Sequence, residues 1–205
     1  MKKPALLPAS LAGFLALVAL LYAVVTAVAL RPEAYPNDPP FNAMAGELVP
    51  YLKGRLPSLS PTLFTQRERL HMEDVLALFA GGRVLGRASF AVGLALMALA
   101  LRLGGRKRLG SGLLIGFAAF GAIAACLGAW AALDFDGWFV TMHQMVFAND
   151  LWLLDPAESM LINMLPIEFF MAIVLRIGAW FAAGLCALVA GACALRAPWE
   201  RRAAR

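Results

Sequence analysis

Four apolar runs dominate the chain, and each is long enough to cross a lipid bilayer. A transmembrane helix needs about 20 consecutive apolar residues, and these runs cover approximately 11–30, 88–103, 113–133 and 167–195. With 61% hydrophobic and 15% charged residues, the composition is that of a membrane protein and not of a soluble domain. The sequence therefore predicts an all-α fold with four transmembrane helices, forming a single membrane domain over 1–205.

The first run follows Met1-Lys2-Lys3, as a signal peptide would, and Ala27-Val28-Ala29 resembles a cleavage site. The apolar core of a signal peptide is about 7–15 residues long. This run is longer, so we expect an uncleaved membrane anchor.

Basic residues predict the orientation. Ten of the 18 Lys and Arg lie at the N-terminus, around the connection Gly104–Gly112 or in the C-terminal tail, where Glu200 is the only acidic residue. Because cytoplasmic loops carry an excess of Lys and Arg, we expect a multi-pass cell-membrane protein with both termini in the cytoplasm. Segments 31–87 and 134–166 then form a small extracytoplasmic cap. The cytoplasmic parts are short, so we expect any active site on the extracytoplasmic side.

Several function classes are disfavoured. The net charge of +5 follows membrane orientation, so we expect no nucleic-acid partner. Cys126, Cys186 and Cys193 all lie in apolar runs, which argues against a disulfide framework. The chain contains no glycine-rich nucleotide loop, and we expect no cofactor.

The first outer segment contains one of only two histidines. Its proline-rich part, 31–61, predicts turns and extended chain. A capping box from Thr65 to Glu68 then starts a helix that Gly81-Gly82 should end. His71 and Asp74 lie three residues apart on this helix, where a carboxylate can hold an imidazole in one tautomer. The alternative is an ordinary solvated helix face.

The second outer segment places His143 close to Asn149 and Asp150. A proton carrier, an amide donor and a carboxylate occur together nowhere else in the chain, and histidine titrates near neutral pH. The alternative is an interfacial polar residue. Trp138 and Trp152 are expected membrane-interface anchors. The stretch 155–158 resembles a helix start, and Pro166 should separate it from the fourth span.

A metal site ranks below a metal-free acid–base site. The two histidines are 72 positions apart, no His-Glu-x-x-His motif occurs, and no feature supports a haem. Arg176 is the only charge well inside a predicted span. Such charges are costly and often functional, so it could hold a lipid carbonyl or an anionic head group. Alternatively, it extends to the outer interface as a snorkelling side chain.

Two stretches, FTQRERLHMEDVLALF (64–79) and MHQMVFANDLWLLDPAESMLINMLPIEFF (142–170), resemble the bacterial lipoprotein intramolecular transacylase family of integral membrane proteins. The family pattern is His-x-x-Asp-Val on a helix, then His-x-x-x-Phe-x-Asn followed by a Trp, an Asp-Pro and a Leu-Ile-x-x-x-Pro close. The matching positions here are His71, Asp74, Val75, His143, Phe147, Asn149, Trp152, Asp155-Pro156, Leu161-Ile162 and 166–170.

The resemblance implies a reaction on lipoproteins whose N-terminal cysteine carries a diacylglyceryl group. The sn-2 acyl chain would move to the free α-amine of that cysteine, giving a lyso-form lipoprotein. His143 would act as base and acid. His71, oriented by Asp74, would position the amine or support the tetrahedral intermediate, and Asn149 or Arg176 would bind the oxyanion. Asp150 and Trp152 would support this site.

Two other interpretations remain open. The chain could be a non-enzymatic accessory or lipid-binding membrane protein, in which neither histidine takes part in chemistry. It could also be another membrane acyltransferase or a hydrolase that uses the same histidines. In the favoured interpretation the partners are a diacylglyceryl-modified lipoprotein N-terminus and membrane lipid, and the oligomeric state is left open.

Overall fold

The computed structural model describes residues 5–197, which are helical with short connections and contain no strand. This confirms the all-α prediction. Within this described range, three helices, α1, α3 and α6, are long and apolar enough to cross a membrane. The elements in chain order are α1 (Leu6–Ala29), a 3-10 turn (Pro32–Ala34), α2 (Phe41–Leu52), α3 (Gln66–Leu133), α4 (Phe135–Val146), α5 (Met160–Met164) and α6 (Ile167–Arg196).

The chain divides into two compact units. The first unit contains the segments up to Leu21, Gly86–Cys126 and from Phe181 onwards. The second unit contains Tyr22–Leu85 and Leu127–Trp180. Both histidines belong to the second unit, so all of the site described below lies within it.

In the first unit, a single glycine reverses the 68-residue helix α3. Gly105 has φ 70° and ψ 179°, a left-handed conformation that glycine adopts without a steric penalty. The helix continues on both sides of Gly105. The prediction of a connecting loop over 104–112 is therefore wrong. Arms 66–104 and 106–133 contain the second and third predicted spans, respectively.

Glycines bring both arms into close contact with α1. Four of them lie directly against that helix, in the pairs Gly93 with Ala12, Gly104 with Ala5, Gly112 with Ala9 and Gly116 with Ser10. Along the first arm the contacted residue of α1 changes from Ala12 to Ala5, so this arm runs antiparallel to α1. Along the second arm it changes from Ala9 to Ser10, in the direction of α1, as a hairpin requires. Small residues allow helix backbones to approach closely, which is how helices associate in a membrane.

The second unit packs around a core supplied largely by α2. Met44, Leu48 and Tyr51 of this helix are buried, with Phe64 and Met164 packed in the same cluster. The prolines of 31–61 predicted turns and extended chain; that prediction is wrong for 41–52, which is helical, while the flanking residues form turns and irregular chain. Proline is tolerated at the start of a helix, where Pro40 is the N-cap, whereas Pro50 in the last turn costs α2 one backbone hydrogen bond.

Other local predictions had mixed outcomes. The capping box is confirmed: the Thr65 hydroxyl accepts from the Glu68 amide, and the Glu68 carboxylate accepts from the Thr65 amide. The helix does not end at Gly81-Gly82 but continues through both glycines. The stretch 155–158 forms a turn, and the next helix starts later, with Ser159 as its N-cap. Helix α6 begins directly after Pro166, as expected.

We expect Gly116→Ala to destabilise the protein, because its new Cβ would meet the backbone at Ser10 and lie 2.7 Å from the Phe14 amide nitrogen. Overpacking of this kind costs about 1–3 kcal/mol. Gly121→Ala is the matched control on the same arm, since no atom lies within 4 Å of its Cβ. Thermal unfolding in detergent should show a lower midpoint for Gly116→Ala alone. Equal midpoints for the two variants would contradict this close packing.

Candidate active site

The two histidines lie side by side despite their separation in the sequence. His71 is on the second turn of α3 and His143 is near the end of α4. Their ring centroids are 6.3 Å apart, and the two residues are only 7% and 9% exposed. The structure therefore brings together the two histidines that the sequence singled out as candidate catalytic residues.

Aromatic rings surround this pair. The ring centroid of His143 lies 4.1 Å from that of Phe139, 5.1 Å from that of Trp152 and 5.5 Å from that of Phe147. Phe147 also contacts His71, with 5.1 Å between centroids. Such a shell removes water from the imidazoles and lowers the local dielectric constant, which disfavours their charged forms.

One hydrogen bond determines the tautomer of His143. Its Nδ1 lies 2.8 Å from the backbone carbonyl oxygen of Phe139, one turn earlier on α4. A carbonyl oxygen only accepts hydrogen bonds, so Nδ1 must carry the proton. The neutral ring then has its lone pair on Nε2, which is therefore available to accept a proton from a substrate.

Burial keeps both imidazoles neutral at physiological pH. The pKa of His71 is lowered from 6.5 to about 4, chiefly by desolvation and then by the neighbouring His143, while Asp74 opposes the shift. Desolvation also lowers the pKa of His143, and the hydrogen bond to Phe139 partly opposes that shift. The Nδ1 atom of His71 is buried and has no hydrogen-bond partner within 5–197.

Asp74 does not orient His71 through a hydrogen bond, as the sequence led us to expect. Its carboxylate instead accepts a 2.9 Å hydrogen bond from the side-chain amide of Asn149. The carbonyl oxygen of that amide accepts from the backbone of Leu151 at 3.0 Å. Asp74 therefore acts on the loop after α4, and it affects His71 only through its charge.

Asp150 also contributes differently from the expectation. Its backbone carbonyl accepts a hydrogen bond from the Arg67 guanidinium, so Arg67 holds the loop against the start of α3. The Asp150 side chain is exposed and makes no hydrogen bond in the described part of the chain. Asp150 instead lines a cavity that Phe147 and Trp152 also border.

A buried carboxylate joins the same two regions of the chain. Glu68 is 1% exposed, and its Oε1 accepts from the Ser159 hydroxyl at 2.6 Å and from the Leu161 amide at 2.8 Å. Its Oε2 accepts from the Thr65 amide at 2.6 Å. The capping-box pattern identified only the last of these contacts. Glu68 thus attaches the segment after the Trp152 loop to the helix that carries His71.

A cavity of about 450 Å³ lies beside the histidine pair. Phe147 and Trp152, which contact His143, form part of its wall together with Asn149. Its volume falls within the range of about 300–1,000 Å³ that is common for small-molecule sites. An acyl ester could therefore reach the aromatic shell from this side.

Arg176 does not line this cavity. It borders a different one, together with residues from the end of α1. Among residues 5–197, no group of three or more His, Cys, Asp or Glu side chains is arranged to bind a metal ion. The three cysteines are free.

Sequence reasoning missed Phe139 and Ser159. Phe139 supplies the carbonyl that orients His143 and also the ring nearest to it. Its position four residues before His143 on a helix was the available signal. Ser159 had no comparable signal, because its partner Glu68 lies 91 positions earlier.

The fold and this site define a helical membrane protein with a desolvated histidine pair enclosed by aromatic rings. The family described as lipoprotein intramolecular transacylase Lit matches residues 9–170. The chain therefore belongs to this family, and it is an acyltransferase of the lipoprotein intramolecular transacylase type. No curated protein matches the chain significantly.

Solved structures agree with this family. The chain is similar to the membrane-integral lipoprotein intramolecular transacylase Lit from Bacillus cereus, with a TM-score of 0.77 and 20% identity over 95% of this chain and 97% of that one. A histidine-to-alanine variant of that protein gives 0.72 and 20%, covering 92% of each chain. A histidine-to-arginine variant gives 0.72 and 21%, covering 92% of this chain and 90% of that one. At these identities the likeness establishes the fold.

We expect Glu68→Gln to destabilise the second unit. The carboxylate accepts three hydrogen bonds. In glutamine, an NH2 group replaces one of the two acceptor oxygens, so at least one of these donors would face another donor. Leaving buried polar groups unsatisfied costs about 1–3 kcal/mol. Chemical unfolding in detergent should show this loss. Glu73→Gln, an exposed position on the same helix, is the matched control, and an equal effect from it would contradict the assigned role.

Proposed function

We propose that the protein moves the sn-2 acyl chain of a diacylglyceryl-cysteine lipoprotein to the α-amine of the same cysteine, with His143 as base and acid. The family gives the reaction class. The observation that supports His143 is its hydrogen bond to Phe139, which leaves Nε2 as an unprotonated acceptor in a desolvated site. A base that is neutral at physiological pH is what amine attack on an ester requires.

The reaction proceeds through one tetrahedral intermediate. The amine nitrogen attacks the ester carbonyl carbon, and Nε2 of His143 takes the proton that the nitrogen loses. The bond between this carbon and the sn-2 glyceryl oxygen then breaks. The same nitrogen of His143 returns its proton to the departing alkoxide. The products are an amide and a free glyceryl hydroxyl, so no outside acyl donor or water is consumed.

His71 and Asn149 supply hydrogen-bond donors in this proposal. Since Nδ1 of His71 is buried without a partner, a hydrogen on Nε2 avoids an unsatisfied N–H group. His71 then donates to the developing oxyanion or positions the amine. Asn149 uses one amide hydrogen on Asp74 and keeps a second for the oxyanion. Preorganised donors of this kind provide a large part of many rate enhancements.

The proposed topology has four membrane spans. The two arms of α3 each cross the bilayer, as do α1 and α6, and both termini lie in the cytoplasm. The distribution of Lys and Arg supports this orientation. The histidine pair then faces the extracytoplasmic side, where diacylglyceryl lipoproteins present their N-termini at the lipid–water boundary. Trp152 lies both at this proposed boundary and beside His143.

We expect His143→Gln to lose at least about 100-fold in transacylation while remaining folded, because it removes the proton carrier. The measurement is mass spectrometry of lipoprotein N-termini from a host without N-acylation of its own. Wild-type protein should convert diacylglyceryl-cysteine with a free amine into the N-acylated lyso-form. His143→Gln should leave the substrate unchanged.

Met145→Ala is the matched control, since this side chain is on the same helix but 72% exposed. It should retain activity close to that of the wild type. Full activity in a folded His143→Gln variant would eliminate the base assignment. Release of free fatty acid without amide formation would instead identify a hydrolase, and an unmodified amine with wild-type protein would support a non-enzymatic role.

We expect kcat to fall at acidic pH with a midpoint below 6.5. Burial lowers the pKa of His143, so the base stays neutral at pH 6.5 and is protonated only under more acidic conditions. His71, with a pKa of about 4, stays neutral over most of this window. Saturating substrate is needed because the free amine itself titrates near 7.7–8.0 and affects kcat/KM.

Tryptophan fluorescence at each pH should verify that the protein is still folded. A midpoint above 6.5, or constant kcat down to the pH of unfolding, would rule out a desolvated histidine as the base.

A further inference from the structure

A second cavity in the same unit has a charged end and an apolar wall. It measures about 580 Å³. The last turns of α1 form the apolar wall, with Ala23, Val24, Ala27 and Val28. This composition suits a hydrocarbon chain, because burying apolar surface is favourable and no polar side chain interrupts that wall.

Two arginines border this cavity from different parts of the chain. Arg31 lies two residues after the end of α1, and Arg176 comes from α6. Neither guanidinium has a hydrogen bond or an ion pair with another side chain or carbonyl within residues 5–197. A guanidinium presents five N–H donors in a fork that matches phosphate oxygens. The cavity therefore combines unused phosphate-binding groups with a wall for an acyl chain.

Arg176 lies at a position in α6 where an unpaired charge costs free energy. It lies nine residues after the start of α6, about 13 Å along the helix axis. This helix is one of those apolar enough to span a membrane. Charged side chains at such depths are expensive and tend to mark ligand sites. A bound anion near the outer boundary would offset this cost.

The net charge of the residues that line the cavity favours an anion with a single negative charge. Arg31 and Arg176 contribute two positive charges and Glu33 one negative charge, which leaves one positive charge. A phosphodiester carries one negative charge and brings the sum to zero. A head group with an additional ammonium would restore the excess positive charge.

We infer that this cavity binds an anionic glycerophospholipid of the phosphatidylglycerol class from the outer leaflet. Its phosphate lies between Arg31 and Arg176, and one acyl chain lies along the α1 wall. The ring of Trp180, one turn after Arg176, borders the same space. This cavity shares no lining residue with the cavity beside the histidines. The inference goes beyond the proposed reaction and takes only the outer-leaflet placement from the proposed topology.

Quenching of Trp180 fluorescence by brominated acyl chains provides the test. The full chain is reconstituted in phosphatidylcholine bilayers with increasing amounts of brominated phosphatidylglycerol, and a Trp180→Phe variant gives the signal from the other tryptophans. We expect an apparent affinity roughly tenfold higher than for brominated phosphatidylcholine, since each basic group near a membrane surface favours anionic lipid.

Arg176→Gln and Arg31→Gln should each remove most of this preference. Arg196→Gln is the matched control, because it makes the same change of charge near the other end of α6, outside the cavity. Arg31 lies in a connection between helices, so its variant also tests the proposal if a change inside α6 impairs folding.

Four results would overturn the inference. Equal quenching by phosphatidylglycerol and phosphatidylcholine would show that the phosphate environment is not selective. A preference that survives both arginine variants would place the lipid elsewhere. Stronger quenching by brominated phosphatidylethanolamine would contradict the charge argument. Equal quenching by brominated diacylglycerol would show a hydrocarbon slot without a phosphate site. None of these measurements involves the lipoprotein substrate, so failure here and failure of the transacylase proposal are distinguishable.

Discussion

The attachment of the chain after α4 to the start of α3 determines where the histidines are. Glu68 accepts from Ser159 and Leu161, and this carboxylate is buried. Arg67 and Asp74 add contacts to the loop at 149–150. Buried polar groups of this kind are stabilising only when every partner is satisfied, which makes the arrangement specific. Together with the apolar packing of Met72 against Leu161 and Met164, these contacts hold the loop that carries Trp152 beside His143.

Desolvation connects this architecture to the chemistry. The aromatic shell that contacts His143 and His71 excludes water, and the resulting low dielectric constant favours the neutral imidazoles. Neutrality benefits a base that must accept a proton from an amine. The same shell is apolar enough to accommodate the ester end of an acyl chain. One physical feature therefore serves both substrate binding and proton transfer in the proposed reaction.

The sequence predicted the helical class and singled out both histidines. Apolar residues are abundant and form long runs, whereas histidine occurs only twice in the chain. Long apolar runs leave little alternative to helices in a membrane, and a polar segment containing His143 contrasts with them. Tertiary partners gave no such signal. The role of Glu68 toward Ser159 spans 91 positions, and only its local capping contact was visible in the sequence.

Helix boundaries failed where glycine and proline were interpreted without their packing. The helix continues through Gly81-Gly82, while Gly105 reverses the chain. Pro50 lies in a helix whose buried side chains include Met44 and Leu48, so burial outweighs the lost backbone donor. The aromatic neighbours of His143 were equally ambiguous, because a phenylalanine such as Phe139 can face either lipid or a site.

An intramolecular reaction explains why so small a site is sufficient. In the proposed reaction the donor ester and the acceptor amine belong to one molecule, so their encounter does not depend on binding a second substrate. Correct orientation of linked reactants alone provides very large effective molarities. The protein then needs only a base, a hydrogen-bond donor and an apolar surface that holds the ester against them. In the proposed mechanism, His143, His71 and the ring of Phe147 would meet these requirements, and their ring centroids lie within about 6 Å of one another.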